Sequence, residues 1–230
     1  MDMVIPFAEV LLAATVHATL QLGLGAFLLL YHASLGKHIR QKTRNVVDSY
    51  TAGVGSMVFI MLGAMAFILA GYFGKPLYAE ELLIVVATLV AIAIAVWAIY
   101  YRRGRSTELW LPRAVARFIH QRAKNTSSNT EAFSLGLLTS LAEMPFTLVL
   151  VVVAANSLLA LPPIQQVLAV ALYTVVAILP LVVTRLLIRR GSTVVDVQRW
   201  RAKNRTFLKV MTGVGFVVLA IFVFAFEVLK

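Results

Sequence analysis

Residues 82–101 read LLIVVATLVAIAIAVWAIYY, twenty residues without a charged side chain. A transmembrane helix needs about 20 predominantly apolar residues to cross the hydrocarbon core of a bilayer. The stretch therefore predicts a membrane-spanning helix. The whole chain has a similar character, since 60% of its 230 residues are hydrophobic and 13% are charged, with a mean hydropathy of +0.88. Soluble domains carry about 25% charged residues, so lipid is the expected solvent.

Five other stretches are long and apolar enough to cross a bilayer. We therefore expect an all-α membrane protein with six transmembrane helices. The predicted spans 1 to 6 are residues 4–31, 51–73, 82–101, 132–158, 164–188 and 208–229.

Lysine and arginine are concentrated in three loops of this arrangement. Four lie between spans 1 and 2, seven between spans 3 and 4, and eight from the end of span 5 to the start of span 6, which is 19 of the 21. With six spans these loops share one side, and the positive-inside rule makes that side cytoplasmic. We expect a multi-pass protein of the cell (inner) membrane, with both termini outside. The net charge of +11 then favours anionic lipids as partners of the basic loops, and no nucleic acid.

The chain divides into three spans, a linker and three spans. Residues 1–101 form the first three-helix repeat, residues 102–131 a cytoplasmic amphipathic linker, and residues 132–230 the second repeat. Because three is odd, the two halves have opposite orientations, which is the architecture of inverted-repeat transporters. In the linker, Leu111, Val115, Phe118 and Ile119 are at helical spacing and Pro112 suits a first helical turn. A short helix lying on the cytoplasmic leaflet is expected there.

Glu143 is the strongest candidate for a functional residue, because an ionisable group inside a span is costly and usually faces a cavity or a partner. Thr139 and Thr147 are four residues before and after it, on the same helical face. Pro145 has no N–H to donate to the carbonyl of Leu141, so that carbonyl is freed nearby. Together these groups predict a site for a substrate or an ion. The alternative is a protonated structural glutamate held by hydrogen bonds.

His17 and Gln21 form a second candidate pair near the middle of span 1, on one face because they are four residues apart. If spans 1 and 4 meet, His17 and Glu143 could form a proton relay or a cation site. The alternative is an interhelical hydrogen bond that clamps the bundle. Glu9, Asn156 and Glu227 lie near the outer ends of their spans, where we expect solvated positions.

The sequence carries no signature of an enzyme, a cofactor or a metal site. It has no P-loop, GxGxxG or HExxH motif, its four histidines are not spaced as metal ligands, and it lacks cysteine. No pairing of a nucleophile with a base is visible, so an intramembrane enzyme is the weakest reading. We expect no catalytic activity, no cofactor and no metal centre.

Two segments resemble the lysine-exporter superfamily and its CcdA-type thiol transporters. Residues 133–145, FSLGLLTSLAEMP, are similar to the helix of that family that reads GLLxSLxPC, and residues 205–214, RTFLKVMTGV, to its final span. The resemblance implies six spans in a 3+3 inverted arrangement with an outside N terminus. The thiol transporters need cysteines that are absent here, and the matching stretches carry His17 and Glu143. Thiol-relay chemistry is thereby excluded, which leaves export of a small solute or cation.

The sequence thus favours a secondary transporter with a site between spans 1 and 4, possible coupling to protons through Glu143, and a small molecule or ion as substrate. The rival is a structural or partner-binding membrane protein without transport activity. Whether the chain forms a homo-oligomer is left open.

The asymmetry of basic residues predicts the location of the C terminus. A reporter enzyme that is active only outside the cytoplasm, fused after Lys230, is expected to be active, because the positive-inside rule holds the three basic loops inside. The same reporter fused in the 3–4 loop is the control and is expected to be inactive. A cytoplasmic C terminus would overturn the count of six spans.

Overall fold

The computed structural model of the protein describes residues 3–20, 22–35, 40–74, 76–102 and 113–229, and every element within them is a helix. In chain order the helices are α1 (Val4–Thr19), α2 (Leu22–Leu35), α3 (Arg40–Phe73), α4 (Ala79–Arg102), α5 (Arg113–Asn125), α6 (Asn129–Ala142), α7 (Met144–Leu159), α8 (Pro163–Ala177), α9 (Leu179–Arg189), α10 (Val194–Lys203) and α11 (Arg205–Val223), which continues as a π-helical segment (Phe224–Val228).

Three helices are long and apolar enough to cross a membrane by themselves, namely α3, α4 and α11 with its π-helical extension. They correspond to predicted spans 2, 3 and 6. The other three predicted spans are bent pairs of helices: α1 and α2 meet at 46°, α6 and α7 at 79°, and α8 and α9 at 48°. The described residues therefore hold three candidate spans, or up to six if each bent pair counts as one. The expectation of unbroken helices in spans 1, 4 and 5 was wrong.

Proline explains two of the three breaks. Pro145 is the second residue of α7, and Pro180 is the second residue of α9. Proline has no N–H, and its ring clashes with the carbonyl four residues earlier, so a helix that reaches it bends or ends. The break after α1 has no proline. There Leu20 takes an extended backbone conformation, with φ −72° and ψ 129°.

Helices α3 and α6 cross in close contact at two glycines. A Cβ atom on Gly53 would overlap the backbone of Phe133, and one on Gly136 would overlap the backbone of Tyr50 and Val54. The two backbones touch because neither glycine carries a side chain. Small residues serve this purpose in membrane proteins, where helices associate mainly through close packing.

Helix α1 is central and packs against α7, α8 and α11. Its orientation relative to α11 follows from two contacts: Val16 lies beside Gly215, and the Thr19 carbonyl accepts a hydrogen bond from Thr212 at 3.4 Å. The later residue of α1 contacts the earlier residue of α11, so the two helices are antiparallel. The start of α1 and the end of α11 therefore lie at one end of the bundle. The opposite end, which holds the start of α11 and the end of α9 with their arginines, is called the basic end below.

Large apolar side chains cover the outside of the bundle. Phe67 and Trp97 expose 80% and 63% of their surface, and Ile164 and Ile221 expose 72% and 62%. These residues lie on α3, α4, α8 and α11, so the apolar surface is not a single patch on one side. A surface of this kind is stable in lipid and not in water, which supports a membrane protein.

The linker contains a helix, as predicted. α5 packs against α2 and buries Ile119, while Phe118 remains 45% exposed. Leu111 and Pro112 lie outside the described residues. The next helix starts at Asn129, three residues before predicted span 4, because Ser128 and Glu131 form a capping box at its N terminus.

The glycine crossing predicts a difference between two alanine substitutions. Gly136→Ala is expected to destabilise the protein by about 1–3 kcal/mol, because the new methyl group would meet the α3 backbone, which cannot move aside cheaply. Gly63→Ala on α3 is the matched control, since a Cβ there meets nothing within 4 Å. Thermal unfolding in detergent measures both. Equal melting temperatures for the two variants would show that α3 and α6 are not in backbone contact.

Candidate functional site

Glu143 occupies the break between α6 and α7 and is only 5% exposed. Its N–H donates to the carbonyls of Thr139 and Ser140, both at 3.2 Å. Its carbonyl accepts the N–H groups of Phe146 and Thr147, at 2.9 and 3.1 Å. The peptide groups of Glu143 thus keep their hydrogen bonds although the helix axis turns by 79°. The chain can change direction inside the bundle without leaving these groups unpaired.

Buried hydroxyl groups on α3 and α6 lie close to this break in sequence or in space. Thr139 is fully buried and donates its hydroxyl hydrogen to the carbonyl of Leu135 at 2.7 Å. Thr139 also shares a hydrogen bond with the hydroxyl of Tyr50, which lies within electrostatic reach of Glu143. Because the one hydrogen of Thr139 is already used, Tyr50 is the donor of this bond. We call Tyr50, Thr139, Glu143 and Thr147 the Glu143 cluster.

The remaining member of the cluster, Thr147, is 1% exposed and donates its hydroxyl to the Glu143 carbonyl at 3.3 Å. Thr139, Glu143 and Thr147 are all buried, and a helix break lies between Thr139 and Thr147. Pro145 contributes by causing the break, since it has no N–H for the carbonyl of Leu141. The carboxylate oxygens of Glu143 and the carbonyl oxygen of Leu141, which lacks the N–H that Pro145 cannot supply, are groups of the kind that bind cations.

His17 belongs to a different contact. Its Nδ1 atom is 3.0 Å from the hydroxyl of Tyr173 on α8, and the two rings meet edge to face with centroids 5.7 Å apart. His17 is 6% exposed and Tyr173 is fully buried. The structure thus joins His17 to Tyr173 and does not join it to Glu143. Gln21 lies outside the described residues.

The register of α1 and α7 explains why His17 and Glu143 are apart. The hydroxyl of Ser157 donates to the Glu9 carboxyl at 2.5 Å. Ser157 is two residues from the end of α7. If α1 ran parallel to α7, the part of α1 after Glu9 would extend beyond the end of α7. Because the two helices pack extensively against each other, they are antiparallel. At a rise of 1.5 Å per residue, His17 lies about 12 Å from this contact and Glu143 about 21 Å. Equal positions along two spans of opposite direction do not mean equal depth.

Two buried polar contacts at the far end from the basic loops were not expected. Glu9 and Asn156 are 1% and 3% exposed, so the expectation of solvated positions for them was wrong. Glu9 accepts from Ser157, and Asn156 accepts the N–H of Leu77 at 2.6 Å, which ties the α3–α4 connection to the end of α7. Their burial follows from the packing of α1 on α7, which sequence position does not reveal. Glu227, the third such residue, is half-buried.

Sequence reasoning also missed the two tyrosines, Tyr50 and Tyr173. Both are fully buried and each approaches one predicted site residue. Tyr50 directly precedes predicted span 2, where a tyrosine is typical of a membrane interface. The one available signal was the presence of a hydroxyl-bearing ring in an apolar stretch, which identifies a polar group but not its partner. Among the described residues no three potential metal-binding side chains lie together.

Comparison of this chain with protein-family models, with curated proteins and with solved structures finds no match. Function is therefore inferred from the residues and their geometry.

The contact of His17 with Tyr173 predicts the effect of removing one hydroxyl. Tyr173→Phe is expected to lower the stability by about 1–3 kcal/mol, because Nδ1 of His17 would be buried without a partner. Tyr72→Phe is the control, since Tyr72 is 84% exposed. Chemical unfolding in detergent micelles measures both variants. If Tyr173→Phe were as stable as the control, the hydrogen bond would be absent in the folded protein.

Proposed function

We propose that the chain is a secondary transporter, or exporter, of a small solute or cation, with its site at the break between α6 and α7. The observation that carries this proposal is a buried carboxyl group, Glu143, placed where a helix breaks inside an apolar bundle. Secondary transporters build their sites from discontinuous helices, where half-helix ends and unpaired carbonyls replace the hydration of the substrate or coupling ion. An ionisable residue buried in a membrane bundle is a candidate functional group by default.

The positions of the breaks support an inverted 3+3 repeat. The first predicted span of each half is broken, after α1 in one and at Glu143 in the other. Interrupted segments in corresponding positions of two halves are a good indicator of a transport site. The second spans differ, because α3 is continuous while α8 and α9 are separated by a bend. The proposed repeat is therefore strongest for the helices that carry the candidate site.

The buried polar groups along α1 add a second line of support. Distances are measured here along the helix axis from the contact of Glu9 with Ser157. The contact of His17 with Tyr173 lies about 12 Å away, and Glu143 lies about 21 Å away. The first two contacts lie on the interface of α1 with α7 and α8, and Glu143 lies at the start of α7, beyond the end of α1. In the proposed mechanism the two halves rock around this interface. Glu143 binds a proton or the substrate cation in turn, which couples the two fluxes.

The proposal includes the topology. Both termini are outside the cell (inner) membrane, six spans cross it, and the basic end faces the cytoplasm, where anionic lipids are the partners of the loops. The substrate is a small molecule or an ion. A homo-oligomer is compatible with the apolar surface.

A structural or partner-binding membrane protein is the second candidate. Its support is the satisfied state of the polar groups: Thr139 and Thr147 have hydrogen bonds, and the contact of His17 with Tyr173 acts as a clamp between α1 and α8. Interhelical hydrogen bonds of this kind can serve stability alone.

Substitution of Glu143 separates the two candidates. Purified protein is reconstituted into liposomes containing the pH-sensitive dye pyranine, and inward gradients of Na⁺, K⁺ or lysine are applied in turn. The wild type is expected to release protons in response to at least one of them. Glu143→Gln is expected to fold and to lose this flux completely, because the amide has no titratable proton. Glu143→Leu is expected to be inactive as well.

Glu80→Gln is the matched control, since Glu80 is an exposed residue at the start of α4, and its flux is expected to equal that of the wild type. Full flux by the Leu variant would remove Glu143 from the mechanism. A wild type that moves no protons under any of the three gradients would favour the structural candidate.

A further inference from the structure

A cationic cavity of about 670 Å³ opens at the basic end, between α2, α3, α9 and α10. Three arginines from two helices line it, Arg44 on α3 and Arg185 and Arg189 on α9, together with His32 on α2. Hydroxyl groups of Thr43, Ser192 and Thr193 complete its polar wall. Guanidinium groups and hydroxyls are the side chains that bind phosphate oxygens, the former with two parallel hydrogen bonds.

The positive charge in this cavity is only partly neutralised. Arg185 pairs with Asp48 on α3 at 2.6 Å, and this pair is half exposed. Arg44 and Arg189 are exposed and form no ion pair with a carboxylate of the described residues. Two of the three arginine charges are therefore available, which matches an anion of one or two charges.

Asp196 on α10 is engaged at the start of its own helix. Asp196 accepts the hydroxyl and the N–H of Thr193, at 2.7 and 2.9 Å, in the capping box of α10. These hydrogen bonds hold the pKa of the Asp196 carboxyl below its usual range, so it is ionised and occupied with the helix terminus. Among the described residues, neither Asp196 nor another carboxylate forms an ion pair with Arg44 or Arg189.

A second cavity, of about 580 Å³, lies beside the first and shares Ser192 with it. Its walls are mainly apolar, with Leu24 from α2, Leu187 from α9 and Trp200 from α10. Two charged residues of α10, Asp196 and Arg201, also line it. Helix α9 lies between the two cavities. Its arginines line the cationic cavity, whereas Val183 and Leu187 line the apolar one. Trp200 is 55% exposed, so the apolar cavity opens at the protein surface.

We propose that the two cavities together bind one anionic phospholipid. The phosphate lies between Arg44 and Arg189, and an acyl chain occupies the apolar cavity along Leu187 and Trp200. A free phosphate ion would fit the cationic cavity, but it would leave the apolar cavity beside it unused. Basic pockets between transmembrane helices on the cytoplasmic side bind anionic lipid head groups through this combination of charge and depth.

The predicted depth of Arg44 and Arg189 in the membrane matches that of a phospholipid head group. Arg189 directly follows predicted span 5, and Arg44 precedes predicted span 2 by seven residues, or about 10 Å along a helix. Both guanidinium groups are thus placed at the level of the lipid phosphates. The proposal rests on the membrane topology given above, and it is independent of transport through Glu143.

The fluorescence of Trp200 tests the proposal. In a Trp97→Phe, Trp110→Phe background, Trp200 is the only tryptophan. The protein is placed in phosphatidylcholine nanodiscs with a tenth of the lipid replaced by phosphatidylglycerol or phosphatidylcholine carrying brominated acyl chains, which quench tryptophan on contact. Brominated phosphatidylglycerol is expected to quench at least about three-fold more than brominated phosphatidylcholine, because the bound lipid is held beside Trp200.

Two double variants of equal charge identify the site. Arg44→Gln with Arg189→Gln is expected to abolish the preference for phosphatidylglycerol. Arg190→Gln with Lys203→Gln is expected to retain it, because both residues are exposed and neither lines the two cavities. Thermal unfolding of each variant checks that it is folded. Should the cavity variant be unfolded, Arg44→Lys with Arg189→Lys replaces it and is expected to reduce the preference, since lysine lacks the bidentate geometry.

Three outcomes would overturn the proposal. Equal quenching by the two lipids would show that no anionic lipid is selected beside Trp200. Equal losses in both double variants would show attraction to the overall charge and no defined site. Loss of the preference in 10 mM inorganic phosphate, but not in sodium chloride of the same ionic strength, would assign the cavity to a soluble phosphate. The flux assay of Glu143 is unaffected by each of these results.

Discussion

The requirement that every backbone polar group inside a membrane be hydrogen-bonded governs this structure. An unbroken helix meets the requirement by itself, whereas a broken one needs partners within the protein. The break between α6 and α7 meets it through the N–H and carbonyl of Glu143, which bond to residues on both sides of the turn. The close crossing of Gly53 and Gly136 brings α3 against α6 and so covers this region with protein in place of lipid.

The same constraint accounts for the positions of the polar side chains. Three pairs of buried polar side chains join different helices: Glu9 with Ser157, His17 with Tyr173, and Tyr50 with Thr139. These pairs connect α1 to α7, α1 to α8, and α3 to α6. They therefore hold together the helices that would have to move relative to one another in a transport cycle. A rocking motion would exchange some of these bonds for bonds to a substrate or to water.

The basic end follows a different principle. In the proposed topology its arginines lie at the boundary between hydrocarbon and water, where the charged end of the side chain remains hydrated while the stem packs on apolar surface. Arg185 uses Asp48 as its partner, while Arg44 and Arg189 remain available. Some of the basic residues that indicate topology in the sequence thus line one cavity in the structure, and an apolar cavity lies beside it.

The sequence by itself determined that the chain is helical and apolar and where its long helices lie. These properties depend on composition and on spacing along one helix, which are local. The tertiary structure alone decided that Tyr50 joins the Glu143 cluster, that His17 faces Tyr173, and that Glu9 and Asn156 are buried. Pro145 and Pro180 were visible in the sequence, but the 79° and 48° bends beside them were not. A proline weakens a helix locally, whereas the angle of the bend and the partner of a buried group depend on which helices pack around them.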